Sequence, residues 1–303
     1  MTMFLQASSI RIAVAVLALA SAPASSAALS LDPLSAAPQS SGGGVSATWV
    51  QVRDDAHFST QPWAEAGGPA LPIGSYAWGD GIWGTGDVNV LMGLPAGDPM
   101  LVGRVGGLSA ISFANTVYNG LAGSGSYGSW GYDYARPLAP IVAQTGQQTN
   151  YAARFSGYLY VAEAGLYDFG LFSDDGFVFS LSGNDGAYAV AHTTHAGSAS
   201  GRDYYTLSGA NGNAAIELDK GYYGLSLDYY NRLEAGVIDL AWWQPGTDGW
   251  RSIEADRLFD RLPQGGSAAV PPAAVSVPEP GVLSLIGLVG VAAAMLRRRR
   301  RTR

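Results

Sequence analysis

Two adjacent carboxylates, Asp174 and Asp175, are the residues of this sequence with the clearest chemical potential. Alternating apolar residues over 166–172 predict a half-buried strand before them, and residues 177–181 start a second alternation after Gly176. Aspartate and glycine are typical of turns, so the two acids are expected at a strand-to-strand connection on the rim of a sheet. A β-protein usually keeps its binding groups at such a rim, and acidic groups there are compatible with cations and neutral polar ligands.

A simpler interpretation of the same residues stays open. Neighbouring side chains of an extended chain point to opposite faces, so adjacent acids do not ordinarily share one ligand. Asp-Asp-Gly is also a common turn, in which the carboxylates accept hydrogen bonds from backbone N–H groups.

Other catalytic or metal sites have weaker support. His192 and His195 could supply two imidazoles, but no third ligand is evident, and His57 is distant in sequence, so a solvated loop is favoured over zinc. No other acid pair stands out for glycoside hydrolysis, and no nucleophile, phosphate-loop or metalloprotease motif occurs. We therefore expect a protein that is not an enzyme.

Aromatic residues and glycine dominate the composition. The chain has 41 Gly, 8 Trp, 16 Tyr and 9 Phe, which is typical of short aromatic strands joined by glycine-rich turns. Trp78, Trp83 and Trp130 could stack on sugar rings, although such residues more often lie in the core.

Charge and cysteine content exclude several classes of function. The chain has no cysteine, so disulfides and thiolate chemistry are excluded. It carries 17 basic and 24 acidic residues, and seven of the arginines lie in the two terminal segments, so the part between them is more acidic than the net charge of −7 suggests. An acidic surface argues against nucleic acid as a partner.

Alternating patterns predict an all-β protein with an antiparallel β-sandwich. Segments 154–161 and 166–172 are expected to form a hairpin, because a short Glu-Ala-Gly turn separates them. The predicted strands are 45–52, 108–113, 154–161, 166–172, 177–181, 215–218, 222–230 and 237–243, and a short helix is expected within 250–259.

The two ends have the composition of processing signals. Residues 1–27 resemble a secretory signal peptide, with a membrane anchor as the alternative, and 28–44 are expected to be a flexible lead-in. Residues 263–276 form a Pro/Gly/Ala/Ser linker. Apolar residues over 281–296, followed by an arginine cluster, predict a transmembrane segment with its end retained in the cytoplasm.

The last 27 residues, 277–303, resemble a PEP-CTERM sorting signal: Val-Pro-Glu-Pro, an apolar helix and polyarginine follow one another. A plain membrane anchor is the alternative. The resemblance implies a protein exported from a Gram-negative cell and handled by the exosortase processing machinery. It also implies a transient inner-membrane anchor, and then the cell surface or the extracellular matrix of a biofilm.

Residues 45–262 are interpreted as one sandwich, of which about 150–262 resemble a PA14 domain. Five pieces occur in the family's order: Arg154 to Leu159, Glu163 to Phe169, Ser173 to Gly176, Leu218 to Tyr223 and Leu240 to Gly246. The family is a β-sandwich that often acts as a carbohydrate-binding module.

The PA14 resemblance also implies a site. In yeast adhesins of this family the Asp-Asp peptide is cis and both carboxylates grip one Ca²⁺, which here would be Asp174 and Asp175. A following asparagine completes the site, and Asn231 matches it best. We expect a calcium-dependent module for extracellular polysaccharide. The alternatives are a structural biofilm protein without a small ligand and, least favoured, a glycan-processing enzyme.

Overall fold

A computed structural model describes residues 29–59, 80–122, 134–184, 188–193, 205–206 and 215–263 of the chain. The expected signal peptide, Trp78, Trp130, His195 and the segment from 264 to the end lie outside these residues. Within the described ranges, no helix is long and apolar enough to cross a membrane.

Strands are the main secondary structure of the described residues, as the composition predicts. The fourteen strands are β1 (Ser30–Leu31), β2 (Val45–Val52), β3 (Leu101–Ser109), β4 (Ser112–Ala114), β5 (Tyr151–Val161), β6 (Gly165–Asp174), β7 (Phe177–Ser182), β8 (Tyr188–Thr193), β9 (Tyr205–Thr206), β10 (Ile216–Leu218), β11 (Gly221–Asn231), β12 (Val237–Trp243), β13 (Arg251–Ser252) and β14 (Leu258–Phe259). The short helices are α1 (Gly86–Gly93), α2 (Thr116–Leu121) and α3 (Pro140–Thr145).

The strands form two sheets that pack face to face, which confirms the expected β-sandwich. The first sheet has the order β1-β10-β6-β12-β13, with β4 beside β12 and β9 beside β6. The second has the order β3-β2-β5-β11-β7-β8, with β14 beside β5. The long strand pairs are antiparallel, whereas the short β1 runs parallel to β10.

A single large core fills the space between the sheets. Alternate residues of β6 and β12 point inward from the first sheet, and alternate residues of β2, β5, β7 and β11 point inward from the second. Aromatic rings meet across this layer: Phe169 of the first sheet lies 5.9 Å from Phe179 of the second, and Trp49 of β2 contacts Phe113 of β4 edge-on at 5.3 Å. Burial of these rings is the main force that holds the sheets together.

The predicted hairpin of 154–161 and 166–172 is wrong. β5 pairs with β2 and β11 in the second sheet, whereas β6 pairs with β10 and β12 in the first. The connection between them therefore crosses from one sheet to the other. Alternation shows which side chains face a core, but both sheets of a sandwich share that core, so alternation does not identify the partner strand.

Residues 29–44 belong to the sandwich rather than forming a flexible lead-in. β1 pairs with β10, and Leu31 is buried in the main core. Further on, the N–H of Leu34 donates to the carbonyl of Tyr222 at 2.7 Å. Two leucines in this stretch of small and polar residues are buried. Leu31 lies in the main core, and Leu34 lies in a smaller hydrophobic cluster.

Two further predictions need adjustment. Segment 108–113 is divided between the end of β3 and the start of β4, with Ile111 buried at the bend. The expected helix within 250–259 is a single 3₁₀ turn over Ala255–Arg257, flanked by β13 and β14.

Candidate cation and ligand site

Asp174 and Asp175 lie where the chain crosses between the two sheets. Asp174 ends β6 in the first sheet, and β7 begins two residues after Asp175 in the second. The peptide bond between the two residues is cis, as the family resemblance implies. Both side chains are buried, with exposed fractions of 7 % and 4 %. The sequence thus located a connection at the rim, and the structure shows that it is a crossing between sheets.

Backbone hydrogen bonds fix this crossing against the end of β11. The N–H of Asp175 donates to the carbonyl of Tyr230 at 3.1 Å, and the N–H of Tyr230 donates to the carbonyl of Gly176 at 3.0 Å. The Tyr229 hydroxyl donates to the carbonyl of Asp174 at 2.7 Å. These bonds hold the two carboxylates beside the residues that follow β11.

The electrostatics of the pair favour a cation. Burial raises the pKa of Asp174 well above its usual range, and the neighbouring carboxylates of Asp175 and Glu234 raise that pKa further. Two buried carboxylates whose charges oppose each other are costly when both are ionised. A dication bound between them would remove that cost, because it favours the ionised form of both.

Asn231, the last residue of β11, lies at the same rim. Its side chain is fully buried, and its Nδ2 donates to the carbonyl of Gln148 at 3.0 Å. Its Oδ1 is buried and accepts no hydrogen bond from any described residue. Buried acceptors almost always have a hydrogen-bond donor or another partner. An unpartnered amide oxygen of this kind is a suitable ligand for a hard cation such as Ca²⁺.

Arg232, the next residue, contacts Asp175 through its backbone and Trp83 through its side chain. Its backbone N–H donates to Asp175 Oδ2 at 2.7 Å, while its guanidinium carbon lies 4.5 Å from the ring centre of Trp83. Burial lowers the pKa of Arg232, and the charge of Asp175 opposes that shift. The backbone of Arg232 thus supports the site, and its side chain is held on an aromatic ring.

Two of the weaker candidates from the sequence, Trp83 and His57, have other partners. Trp83 is buried with 2 % exposure, and its Nε1 donates to the carbonyl of Asp80, so it is not a sugar-stacking surface. His57 pairs with the Asp80 carboxylate at 2.7 Å on the surface, and His192 lies in β8. Within the described residues, no group of three or more His, Cys, Asp or Glu is arranged to hold a metal. Asp174, Asp175 and Asn231 supply two carboxylates and an amide.

Several residues that build the site had no signal in the sequence. The carbonyl of Gln148 and the side chain of Asn115 lie far from Asn231 in sequence; Gln148 bonds Asn231 directly, and Asn115 bonds Gln148. Gly236 packs directly on Asn231: a Cβ there would be 2.8 Å from Asn231 Oδ1. Polar residues in loops carry no periodicity, so pattern analysis does not detect them.

Comparison with known proteins identifies the C-terminal segment. Residues 276–301 match the family model described as the PEP-CTERM protein-sorting motif, so the chain carries such a motif. No curated protein matches the chain.

Solved structures that resemble the chain include several PA14 domains. The PA14 domain of the MpAFP antifreeze protein is 16% identical, with a TM-score of 0.35, over 74% of this chain and 94% of that one. The A domain of epithelial adhesin 6 from Candida glabrata, in complex with Galb1-3GlcNAc, is 17% identical, with a TM-score of 0.42, over 83% and 99%. A PA14 sugar-binding domain from an RTX adhesin is 12% identical, with a TM-score of 0.35, over 73% and 99%.

Proposed function

We propose that this chain is an exported, exosortase-sorted surface or matrix protein that binds carbohydrate through a Ca²⁺ held by Asp174, Asp175 and Asn231. The observation that carries the proposal is the meeting of two buried, mutually repelling carboxylates with the buried, unpartnered Oδ1 of Asn231 at one rim. The sorting motif at 276–301 supports export and surface location, and the PA14-like sequence pieces support a glycan as ligand.

The residues present fit calcium. Ca²⁺ prefers carboxylate, amide and carbonyl oxygens and tolerates irregular arrangements of them. Asp174 and Asp175 would supply the charge, and Asn231 would supply a neutral oxygen that satisfies an otherwise unpaired buried atom.

Each residue then has a distinct part in binding. The bound ion would offer open coordination positions to two hydroxyl groups of a sugar. Tyr229 fixes the backbone of Asp174, and the N–H of Arg232 fixes the carboxylate of Asp175 through Oδ2. Because these supports are backbone and buried side-chain contacts, the carboxylates need little reorganisation when a ligand arrives.

A glycan array tests the carbohydrate part of the proposal. The full-length protein, purified in mild detergent, is applied to neutral and acidic glycans in Ca²⁺ and again in EDTA. We expect binding in Ca²⁺ that EDTA abolishes and that Asp175→Asn lacks. Absence of binding to any glycan in Ca²⁺, with Ca²⁺ still bound by the protein, would favour a structural matrix protein that uses the ion for stability alone.

A further inference from the structure

We infer that Asn115 is a positioning residue for the cation site: it orients the amide of Asn231 so that Oδ1 faces the proposed ion. Asn115 precedes helix α2 and is fully buried. The inference rests on the proposed function, since it concerns how that same site is held.

Asn115 contacts both segments that enclose Asn231. Its Nδ2 donates to the carbonyl of Gln148 at 3.1 Å and to the carbonyl of Glu234 at 2.7 Å. Its backbone N–H donates to the carbonyl of Gly236 at 2.8 Å. One side chain therefore joins the segment before β5 to the loop between β11 and β12.

The shared partner is the carbonyl of Gln148. It accepts hydrogen bonds from Asn115 Nδ2 and from Asn231 Nδ2, at 3.1 and 3.0 Å. The bond to Asn231 determines which end of that amide is the nitrogen, and it thereby directs Oδ1 away from Gln148. If Gln148 shifts, the amide of Asn231 loses the hydrogen bond that orients it. The amide can then rotate so that its NH₂ group faces the ion, and an NH₂ group cannot bind a cation.

The loop contacts act from the other side. Glu234 has a positive φ of 52°, and the carbonyls of Glu234 and Gly236 are both held by Asn115. Gly236 in turn lies against Asn231, since a Cβ at that position would be 2.8 Å from Oδ1. Asn115 thus holds the part of the β11–β12 loop, Glu234 to Gly236, that packs against the Asn231 side chain.

Asn115 has a second task, and the choice of variant must separate the two. Its Oδ1 accepts from the N–H of Tyr118 and so caps helix α2. Serine and aspartate are also good cap residues, so Asn115→Ser and Asn115→Asp keep the cap acceptor and remove the amide donor.

The experiment measures Ca²⁺ affinity of the full-length protein by calorimetric titration after EDTA treatment and dialysis. We expect Asn115→Ser to weaken Ca²⁺ binding by about tenfold or more, as losses of contacts that orient a metal ligand do. Asn119→Ser is the matched control: Asn119 lies in the same helix and makes two hydrogen bonds to the backbone of Arg136, away from Asn231. It is expected to leave Ca²⁺ affinity unchanged.

Asn115→Asp gives the sharper test. The added negative charge alone would tighten Ca²⁺ binding by Coulomb attraction. Positioning predicts the opposite, because an ionised carboxylate cannot donate to the carbonyls of Gln148 and Glu234. Weaker binding by Asn115→Asp supports the inference.

Four results would count against it. Wild-type affinity in Asn115→Ser, or tighter binding in Asn115→Asp, overturns the positioning role while leaving the proposed site intact. Equal loss of affinity in Asn119→Ser assigns the effect to general destabilisation and overturns the role too. Failure of the wild-type protein to bind Ca²⁺ removes the proposed site itself and the inference with it.

Discussion

The backbone N–H of Arg232 donates to Oδ2 of Asp175 at 2.7 Å, across a separation of 57 residues in sequence. This bond joins the end of β11, a central strand of the second sheet, to the crossing that leaves the first sheet. The candidate site therefore lies where the two sheets are tied together. Its geometry is determined by the packing of the whole sandwich.

The first prediction concerns pH. Because burial and neighbouring carboxylates raise the pKa of Asp174, the folded protein without Ca²⁺ holds a proton there that the unfolded chain releases. Between pH about 4, the usual pKa of an aspartate, and the raised pKa of Asp174, the folded state binds more protons than the unfolded chain. The free energy of unfolding therefore falls as pH rises through this range. The expected result in chelator is a thermal midpoint that increases when pH is lowered from 7.5 towards 5.

Asp174→Asn provides the control for this effect, since an amide has no proton to lose there. Its midpoint should depend less on pH in the same interval, and saturating Ca²⁺ should flatten the wild-type curve as well. Parallel curves for the wild type and Asp174→Asn would show that Asp174 is not the group responsible.

Gly236→Ala is expected to damage the site locally. The new Cβ would lie 2.8 Å from Asn231 Oδ1 and closer still to the hydroxyl of Tyr151, so Asn231 must move. We expect a loss of about 1–3 kcal/mol in the free energy of unfolding, as for other overpacked positions, together with weaker Ca²⁺ binding. Chemical denaturation and calorimetry measure the two effects.

Gly93→Ala is the matched control for that change. Gly93 ends helix α1, and a Cβ there meets nothing within 4 Å. Alanine should be neutral or slightly stabilising at this position, and Ca²⁺ affinity should stay the same. If Gly236→Ala leaves the free energy of unfolding and the Ca²⁺ affinity as unchanged as Gly93→Ala does, the close contact between Gly236 and Asn231 does not matter for stability or for Ca²⁺ binding.

Leu31→Ala tests whether the N-terminal segment is part of the fold. Leu31 is buried in the main core, so its truncation should cost about 2–5 kcal/mol in the free energy of unfolding. Leu166→Ala is the comparison, because Leu166 is largely exposed and should change stability by about 0.5 kcal/mol or less. Equal, small effects in urea denaturation would return 29–44 to the status of a flexible lead-in.

Arg136 and Asp239 form a fully buried ion pair at 2.9 Å, with the Arg136 guanidinium near the rings of Tyr118, Tyr134 and Phe172. Arg136→Met should cost about 3–5 kcal/mol in the free energy of unfolding, because it leaves a buried carboxylate uncompensated.

The double variant Arg136→Met/Asp239→Leu separates this cause from lost packing. Replacing both partners removes the isolated charge, so the double variant should be more stable than Arg136→Met in urea denaturation. A double variant that is less stable than the single one would show that packing, and not the buried charge, dominates.

The sequence predicted the strands better than their partners. Alternation in 166–172 and 222–230 located β6 and β11, because side chains on one face of these strands meet the core. The prediction that β5 and β6 form a hairpin in one sheet was wrong. Strands of both sheets show the same alternation, because the inward faces of both sheets contact one core. Residues 29–44 were misjudged because few apolar residues mark them, although Leu31 and Leu34 are buried.

The candidate site was predictable in part. Asp174 and Asp175 are identifiable as turn residues beside a strand, and the family resemblance indicated Asn231. Asn115 and Gln148 were not identifiable, because their contacts with the site span 33 to 119 residues and depend on how loops from both sheets meet. Such contacts follow from tertiary packing and have no local periodicity.

Calorimetric titration of Ca²⁺ into the EDTA-treated full-length protein decides whether Asp174, Asp175 and Asn231 bind the ion. We expect saturable binding of one ion per chain, abolished in Asp175→Asn and strongly weakened in Asn231→Ala. This expectation would be contradicted by absence of saturable heat in the wild type, or by Ca²⁺ binding that survives unchanged in both variants.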